Sequence, residues 1–408
     1  MSQPETPAAL SPADLAAARE LLRGHVVETP IQTSRWLTEA VGTPVLLKCE
    51  NLQRTGSFKA RGAYVRIARL PAAERARGVV AASAGNHAQG VALAAKMLGI
   101  PATVFMPEGA PIPKENATRG YGAEVVFSGE YLEQSMTAAR AFAAETGAVL
   151  IHPYDHTDVV AGQATLGLEL LEQVPEARTV IVPLGGGGLL SGVALAMKTA
   201  RPDLRIVGVQ AEAAAAYPGS LAAGRPVQLT RMQTMADGIA VGLPGEVNFP
   251  IIRDLVDEIR MVSEESISRS LLALVERAKL VVEASGAVGV AALFDDPSGF
   301  EGPIVVVLSG GNIDPLLLGK VIQHGMTAAG RYLPVRVTIP DTPGSLAAML
   351  RVVGESGASV LEVVHTRHSP SLYLDEVEVQ LQLETRGARH AEQVLAGLRE
   401  QGYAATTD

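Results

Sequence analysis

The sequence has a single cysteine, Cys49, which excludes an internal disulfide and a cluster of thiolate metal ligands. Cys49 ends the largely apolar run of residues 44–49, so we expect a buried strand thiol and not a reactive one. No metal site is predicted.

Long apolar runs and basic runs are absent as well. No stretch approaches the roughly 18 uninterrupted apolar residues of a membrane span, and the N-terminus begins with polar residues and Pro4 instead of an apolar signal segment. We therefore expect no membrane association and a cytoplasmic location. The net charge is −9 and lysines and arginines form no cluster, which argues against a nucleic-acid partner.

Aromatic residues make up only 4% of the chain, whereas glycine is abundant with 41 residues. Alanine and valine dominate, which favours helices packed closely on a parallel sheet. A chain of 408 residues is too long for one ordinary core and predicts two or three domains.

Short β-branched runs alternate with alanine-rich stretches up to about residue 313, which predicts a mostly parallel α/β sheet. The first helix is expected to begin after the Ser11 cap, with Pro12 at its first position. Further helices are predicted at 87–98 and 189–199. The predicted strands are 79–83, 102–106, 124–127, 179–184, 205–210 and 304–308. Ligands of such sheets bind at the carboxyl ends of the strands.

After about residue 330 the pattern changes. Alternating and helical periods follow one another in the order βαββαβ, which predicts a small ferredoxin-like unit over residues 331–408. The domain boundary is predicted near residues 325–331.

A glycine-rich loop follows the predicted strand 179–184 and precedes a helix. Its backbone N–H groups can converge on an anion, and a phosphate is the natural guest. A dinucleotide stays open as the alternative, although the third glycine of G-x-G-x-x-G is replaced by Ser191. The loop consists of Gly185, Gly186, Gly187 and Gly188, followed by Leu189.

Lys59 lies between Phe58 and Ala60, so it is a candidate for partial burial and for use as an amine nucleophile or base. Taken alone, a surface lysine at a helix start is the simpler interpretation. Two polar loops also follow predicted strands. The first can grip a carboxylate at a helix start, although His87 is more often a packing residue there. These loops are Ser83, Ala84, Gly85, Asn86 and His87, and residues 309–312, which begin with Ser309.

A lysine, a phosphate loop and polar strand ends together match pyridoxal-phosphate chemistry. The segment S-F-K-A-R-G-A at residues 57–63 resembles the Schiff-base segment of threonine ammonia-lyases (threonine dehydratases), in the tryptophan-synthase-β fold group. Four further strings are similar to that family in matching order. They are S-A-G-N-H-A-Q-G-V-A at 83–92, G-G-G-G-L at 185–189, A-D-G-I-A-V at 236–241 and S-G-G-N at 309–312.

The resemblance implies a two-part catalytic region over residues 1–328, with a smaller subdomain at about 55–155. Lys59 would bond to the cofactor aldehyde, Phe58 and Gly238 would flank its ring, Asn86 would bind its phenolic oxygen, and Ser309 would face the ring nitrogen. The loop from Gly185 to Leu189 would hold the phosphate. The loop from Ser83 to His87 would take the substrate carboxylate. Glu283 is similar to a family acid near the cofactor.

The implied reaction is the elimination of water and ammonia from L-threonine, giving 2-oxobutanoate, with L-serine to pyruvate as a secondary activity. Serine racemases of this fold carry a serine where this chain has Ala84, which favours the lyase. Their cation site would need a second acid at Pro218, six residues after Glu212, so a divalent metal there is not expected, whereas a monovalent ion held by carbonyl oxygens stays open. A racemase with lyase activity and a catalytically silent amino-acid sensor remain the alternatives.

The C-terminal unit, with Asp341-Thr342-Pro343-Gly344 between its first strand and helix, resembles an ACT domain. The resemblance implies feedback control in isoleucine biosynthesis by an amino-acid effector, such as isoleucine or valine. It also implies a homodimer or homotetramer, because one such unit needs a second subunit to complete an effector site. An oligomerisation module without a ligand is the alternative.

Overall fold

The protein is described here by a computed structural model, which covers residues 10–367 and 372–407. Predictions for residues 1–9, 368–371 and 408, including the polar N-terminal segment with Pro4, lie outside the described residues. The chain divides into two compact units, Met1–Asp314 and Pro315–Asp408. The helix that precedes the boundary predicted near residues 325–331 is therefore grouped with the second unit.

The strands are numbered in chain order. They are β1 (Ile31–Thr33), β2 (Val45–Lys48), β3 (Val79–Ala82), β4 (Ala102–Met106), β5 (Glu124–Phe127), β6 (Val149–Leu150), β7 (Thr179–Pro183), β8 (Arg205–Ala211), β9 (Glu258–Val262), β10 (Ile304–Val307), β11 (Tyr332–Pro340), β12 (Ser359–Thr366), β13 (Glu376–Glu384) and β14 (Ala404–Thr406).

The α-helices are numbered in the same way. They are α1 (Pro12–Leu22), α2 (Arg35–Val41), α3 (Lys59–Ala68), α4 (Ala72–Arg75), α5 (Asn86–Leu98), α6 (Ile112–Gly120), α7 (Leu132–Thr146), α8 (Thr157–Gln173), α9 (Gly188–Ala200), α10 (Ala216–Ala223), α11 (Asn248–Leu255), α12 (Glu264–Ala273), α13 (Ala284–Asp295), α14 (Pro315–Ala328), α15 (Ser345–Glu355) and α16 (Ala388–Glu400).

The first unit contains two sheets, and the prediction of mostly parallel strands is confirmed. The larger sheet has the order β1-β2-β10-β7-β8-β9, and among its described strands only β1 and β2 pair in antiparallel fashion. The smaller sheet has the order β5-β4-β3-β6 and its described pairs are parallel. Strands β3, β7 and β10 are buried along their whole length, as apolar strands of parallel sheets are.

Glycines allow the helices of this unit to approach one another closely. A Cβ on Gly162 of α8 would lie 2.6 Å from the Cα of Gly62 in α3. A Cβ on Gly192 of α9 would lie 2.7 Å from the carbonyl oxygen of Val160 in α8. Real Cβ atoms do not come this near to backbone, so these glycines set the spacing of the three helices.

A buried ion network fixes helix α3 to its neighbours. Arg61 donates two 2.8 Å hydrogen bonds to the carboxylate of Glu50 and further bonds to Glu169 in α8. Lys48 at the end of β2 donates to Glu169 at 2.6 Å. Two cations face two carboxylates, so each buried charge has an opposite partner. The network anchors the helix that begins with Lys59.

The second unit has the predicted order βαββαβ, preceded by α14. Its antiparallel sheet has the order β12-β13-β11-β14. Alternate residues of β11 and β13 are buried, among them Val337 and Val379, which face each other in the register. The closing strand of this order is β14, which begins at Ala404.

The sequence patterns missed strands that are short or lack alternation. Strand β6 has only two residues, and β1 has three.

Cys49 is fully buried, as predicted. Among the described residues, no helix is both long enough and apolar enough to cross a bilayer. The cytoplasmic location stays a prediction.

Candidate active site

A cavity of about 800 Å³ opens at the carboxyl ends of β3, β7 and β10. Every residue for which the sequence predicted a cofactor or substrate contact lies on its wall, whereas the rest of the loop 309–312 lies outside the lining. The predicted residues on the wall are Phe58, Lys59, Ser83, Ala84, Gly85, Asn86, His87, Gly185, Gly186, Gly187, Gly188, Leu189, Gly238 and Ser309. Loops that are far apart in the sequence therefore meet at one site, as expected for a parallel sheet.

Lys59 is the first residue of α3, and its side chain is partly buried in this cavity. Its Nζ donates a 2.9 Å hydrogen bond to the carbonyl oxygen of Pro153 and lies 5.1 Å from the centre of the Phe58 ring. Burial lowers the pKa of the Lys59 amine to about 8, and the Glu283 carboxylate opposes that shift. A neutral amine, the form that acts as nucleophile or base, is thus accessible near physiological pH.

The segment before Lys59 is held against the loop after β10. Ser57 forms an isolated antiparallel bridge with Gly310, and Phe58 donates its N–H to the carbonyl oxygen of Ser309 at 3.1 Å. Thr55 adopts a left-handed conformation with φ of 64°, which is uncommon outside glycine. Backbone contacts between residues 57–58 and residues 309–310 therefore position Lys59 and Ser309 relative to each other.

The glycine loop lies between β7 and α9, at the positive end of that helix. Side chains pack so closely around it that substituents are excluded. A Cβ on Gly186 would lie 2.5 Å from ring atoms of Tyr154, and one on Gly187, where φ is +105°, would overlap the hydroxyl of Tyr217. Within the described chain, the N–H groups from Gly185 to Gly188 donate to no protein acceptor. This arrangement suits an anion bound by backbone N–H groups.

The loop after β3 leads into the long helix α5, with Asn86 as its first residue. Ser83 accepts a 3.1 Å hydrogen bond from the N–H of Gly85, which stabilises the turn. His87 is buried, and its Nε2 lies 2.8 Å from the carbonyl oxygen of Ile151. Burial lowers the pKa of His87 to about 3, so the ring stays neutral and donates to that carbonyl. Its side chain has a packing role, in line with the simpler interpretation of the sequence.

Glu283 also lies on the cavity wall, immediately before α13. Its Oε1 accepts a 2.7 Å hydrogen bond from Nδ2 of Asn86. Burial raises the pKa of Glu283 to about 7, and the Asp237 carboxylate contributes to the rise. A buried carboxyl that titrates near neutrality beside a lysine is typical of functional sites.

Sequence reasoning missed several other residues of the wall. Tyr154 follows strand β6, which is too short to show a periodic pattern in the sequence. Lys114 and Asp237 also lie on the wall, where Nζ of Lys114 is 2.8 Å from Oδ2 of Asp237. Ser285 lies beside Gly238, and its buried Oγ has no hydrogen-bond partner among the described residues. Ser285 stands two residues after Glu283, but nothing in this part of the sequence separates it from a core residue.

The residues present fit pyridoxal phosphate. The glycine loop offers unbonded N–H groups to a phosphate, and Lys59 offers an amine of lowered pKa to an aldehyde. Ser309 places a neutral hydroxyl at the end of β10, suited to a ring nitrogen without a proton, and Ser285 holds an unpartnered hydroxyl nearby. Together these groups match the polar atoms of the cofactor.

The chain matches the family model described as pyridoxal-phosphate dependent enzyme over residues 22–310. It is similar to the L-threonine ammonia-lyase of Geobacter sulfurreducens, with 46% identity over 95% of this chain and 96% of that protein. Among solved structures it resembles the T.th. threonine deaminase, with 44% identity, a TM-score of 0.72 and coverage of 75% of this chain and 99% of that one. Maize serine racemase is also similar, with 38% identity, a TM-score of 0.73 and coverage of 78% and 98%.

Proposed function

The chain belongs to the pyridoxal-phosphate-dependent enzymes, and within them to the L-threonine ammonia-lyases, so we propose that it converts L-threonine to 2-oxobutanoate and ammonia. L-Serine would give pyruvate by the same route. The observation that carries this proposal is the position of Lys59, whose amine of lowered pKa shares one cavity with the glycine loop and Ser309.

Residues from several loops would hold the cofactor. The N–H groups from Gly185 to Leu189 would bind its phosphate, Ser309 would face its ring nitrogen, and Asn86 would donate to its phenolic oxygen. Phe58 and Gly238 would flank the ring. When bound, pyridoxal phosphate supplies an aldehyde that bonds to amines and a ring that withdraws electrons from the substrate Cα.

The chain's own residues would then orient the substrate and move its protons. The helix start at Asn86 and His87 places favourable partial charge where a substrate carboxylate can lie. Lys59 would be the base that takes the proton from the substrate Cα. Loss of the β-hydroxyl as water gives an enamine, and hydrolysis of its tautomer consumes one water and releases ammonia.

A racemase is the competing function, because maize serine racemase is as similar in fold as the threonine deaminase. Racemisation needs a proton donor on the face of the substrate opposite the lysine. Serine racemases of this fold carry a serine as that donor, and this chain has Ala84 at the same position. The methyl group of alanine cannot transfer a proton. This absence supports elimination over racemisation.

We propose that the second unit is an ACT-type regulatory domain that acts in a homodimer or homotetramer. Strand β12 is an edge strand, and four of its apolar residues are exposed, namely Val360, Leu361, Val363 and Val364. Exposed apolar edges are sites where a second chain adds its own strand. Pairing of two copies would cover this edge.

An amino-acid effector, with isoleucine and valine as the candidates, would bind at the loop between β11 and α15. Asp341 in that loop accepts a 2.9 Å hydrogen bond from Arg367, and Gly344 caps the helix with φ of +95°. The loop proposed to bind the effector therefore contains one partner of an ion pair and ends at the N-terminus of α15. A role in isoleucine biosynthesis belongs to the same proposal.

The catalytic proposal is tested by incubating the cofactor-loaded full chain with L-threonine and with L-serine, measuring 2-oxo acid release and the chirality of the remaining amino acid. We expect 2-oxobutanoate and pyruvate without D-serine. Accumulation of D-serine as the main product would identify a racemase, and no reaction with either substrate would indicate a silent sensor. Repeating the kinetics with isoleucine and valine tests the regulatory proposal, which fails if neither changes the curves or the thermal unfolding midpoint.

A further inference from the structure

Three side chains from separate loops form a hydrogen-bonded chain beside the cavity. Nδ2 of Asn312 donates to Oδ1 of Asn86 at 2.8 Å and to the carbonyl oxygen of Thr55 at 2.6 Å. Nδ2 of Asn86 donates to Oε1 of Glu283 at 2.7 Å. We call Asn312 and Glu283 the amide clamp, because they bond to opposite ends of the Asn86 side chain.

The clamp determines which way the Asn86 amide faces. Both hydrogens of the Asn312 amide are used, one on Thr55 and one on Asn86, so Asn312 presents only a donor to Asn86. Glu283 presents a carboxyl oxygen that accepts. A half-turn of the Asn86 amide would set N–H against N–H at the Asn312 end and, with Glu283 ionised, oxygen against oxygen at the other end. One N–H of Asn86 is left over, and Asn86 lines the cavity.

The backbone around the clamp leaves its side chains little freedom. A Cβ on Gly56 would lie 2.5 Å from Oδ1 of Asn312, and one on Gly310 would lie 3.2 Å from Nδ2 of Asn86 and overlap the carboxyl of Glu283. Gly56 and Gly310 thus allow the backbone to pass directly over the clamp. This packing makes the clamp a built feature of the site and not a chance contact between flexible side chains.

We propose that Asn312 and Glu283 are positioning residues that hold the Asn86 amide with an N–H, and not its oxygen, turned to the bound cofactor. The proposal rests on the proposed function, because it assigns Asn86 to a cofactor oxygen that needs a donor. Neither clamp residue has to touch the reacting atoms. Each acts through Asn86.

The test compares Asn312→Asp with the wild type as cofactor-loaded full chains. A carboxylate at position 312 accepts only, so it repels Oδ1 of Asn86 and drives the amide to turn. We expect the visible absorption band of the bound cofactor to shift without substrate present. We also expect kcat for threonine to fall about 10- to 100-fold, as for a misaligned active-site group, with KM changed much less.

A matched control distinguishes positioning from general loosening. Asn51 is another buried amide near this site, and its Nδ2 donates to the carbonyl oxygen of Val281 at 3.1 Å without contacting Asn86. Asn51→Asp removes a hydrogen bond of the same kind, so it should lower the unfolding temperature but leave the absorption band unchanged. Asn312→Ala, which removes the donor without adding repulsion, should give a smaller band shift than Asn312→Asp.

Glu283 is tested by the pair Glu283→Gln and Glu283→Ala. Glutamine retains an oxygen that accepts from Asn86, so it should preserve the cofactor band, whereas alanine should shift it. An unchanged band and unchanged kcat in Asn312→Asp would overturn the proposal, and so would equal effects of Asn51→Asp and Asn312→Asp. A glutamine variant identical to the alanine variant would exclude Glu283 from the clamp. The absorption comparison needs no turnover, so it stays decisive even if the wild type fails to deaminate threonine.

Discussion

Nε2 of His87 donates to the carbonyl oxygen of Ile151 at 2.8 Å, inside the wall of the cavity. Burial lowers the pKa of this imidazole to about 3, so the ring stays neutral in the folded protein down to that pH. An unfolded histidine takes up its proton near pH 6.5. Between these pH values the unfolded state holds more protons, and stability falls as the pH is lowered.

The first prediction concerns the pH dependence of stability. We expect the thermal unfolding midpoint to fall as the pH decreases below about 6.5, at a cost of up to about 1.4 kcal/mol per pH unit for this one group. His87→Gln should have a shallower slope, because glutamine does not titrate. His152, whose pKa burial lowers to about 4, should sustain part of the slope. Equal slopes for wild type and variant would contradict this account of His87.

The second prediction concerns the glycine loop. Gly187→Ala should weaken cofactor binding by at least about tenfold, since the added methyl group overlaps the Tyr217 hydroxyl at a positive φ. Gly219→Ala is the matched control, because nothing lies within 4 Å of its Cβ position. Fluorescence titration of the cofactor-free proteins with pyridoxal phosphate measures the change. Comparable cofactor affinities of the two variants would show that the glycine loop does not bind the phosphate.

The third prediction concerns the buried ion network. Arg61→Met leaves Glu50 buried without its cation and should cost about 3–5 kcal/mol of unfolding free energy. The exposed pair Arg35–Glu39 offers a control, and Arg35→Met should change stability by less than about 0.5 kcal/mol. Urea unfolding of the cofactor-free chains provides the comparison. A small loss in Arg61→Met would show that the network does not anchor α3.

The fourth prediction concerns the choice between elimination and racemisation. Ala84→Ser supplies a hydroxyl at the position where serine racemases of this fold have one. We expect the variant to form D-serine from L-serine at a rate at least about tenfold above the wild type. Chiral chromatography of the residual serine detects it. Ala84→Gly adds no proton donor and serves as the control. Equal D-serine from both variants would mean that position 84 does not decide the outcome.

Much of this fold follows from local pattern. The helix that begins at Pro12 was predicted from Ser11, whose side chain accepts from the N–H of Asp14 as a cap should. The alternation of β11 and β13 predicted the antiparallel sheet of the second unit because one face is buried and the other is not. Strand β6 is too short for any period to be visible, so Tyr154 beyond it was missed.

The site is a different case. Motifs located Lys59, the glycine loop and Ser309, because each follows a strand or opens a helix. The parallel sheet predicts that the loops after β3 and β10 lie close together. It does not predict which side chains among Asn86, Glu283 and Asn312 bond to one another. The lowered pKa of Lys59 likewise depends on burial by loops that no local pattern brings together.

The central claim is that Lys59 holds the cofactor and performs the elimination of threonine. The most direct measurement is borohydride reduction of the cofactor-loaded chain, followed by peptide mapping of the modified lysine, in parallel with 2-oxobutanoate release by wild type and Lys59→Ala. We predict modification at Lys59 alone and a loss of turnover in Lys59→Ala of at least about a thousandfold. Modification at another lysine, or threonine turnover retained in Lys59→Ala, would contradict the account.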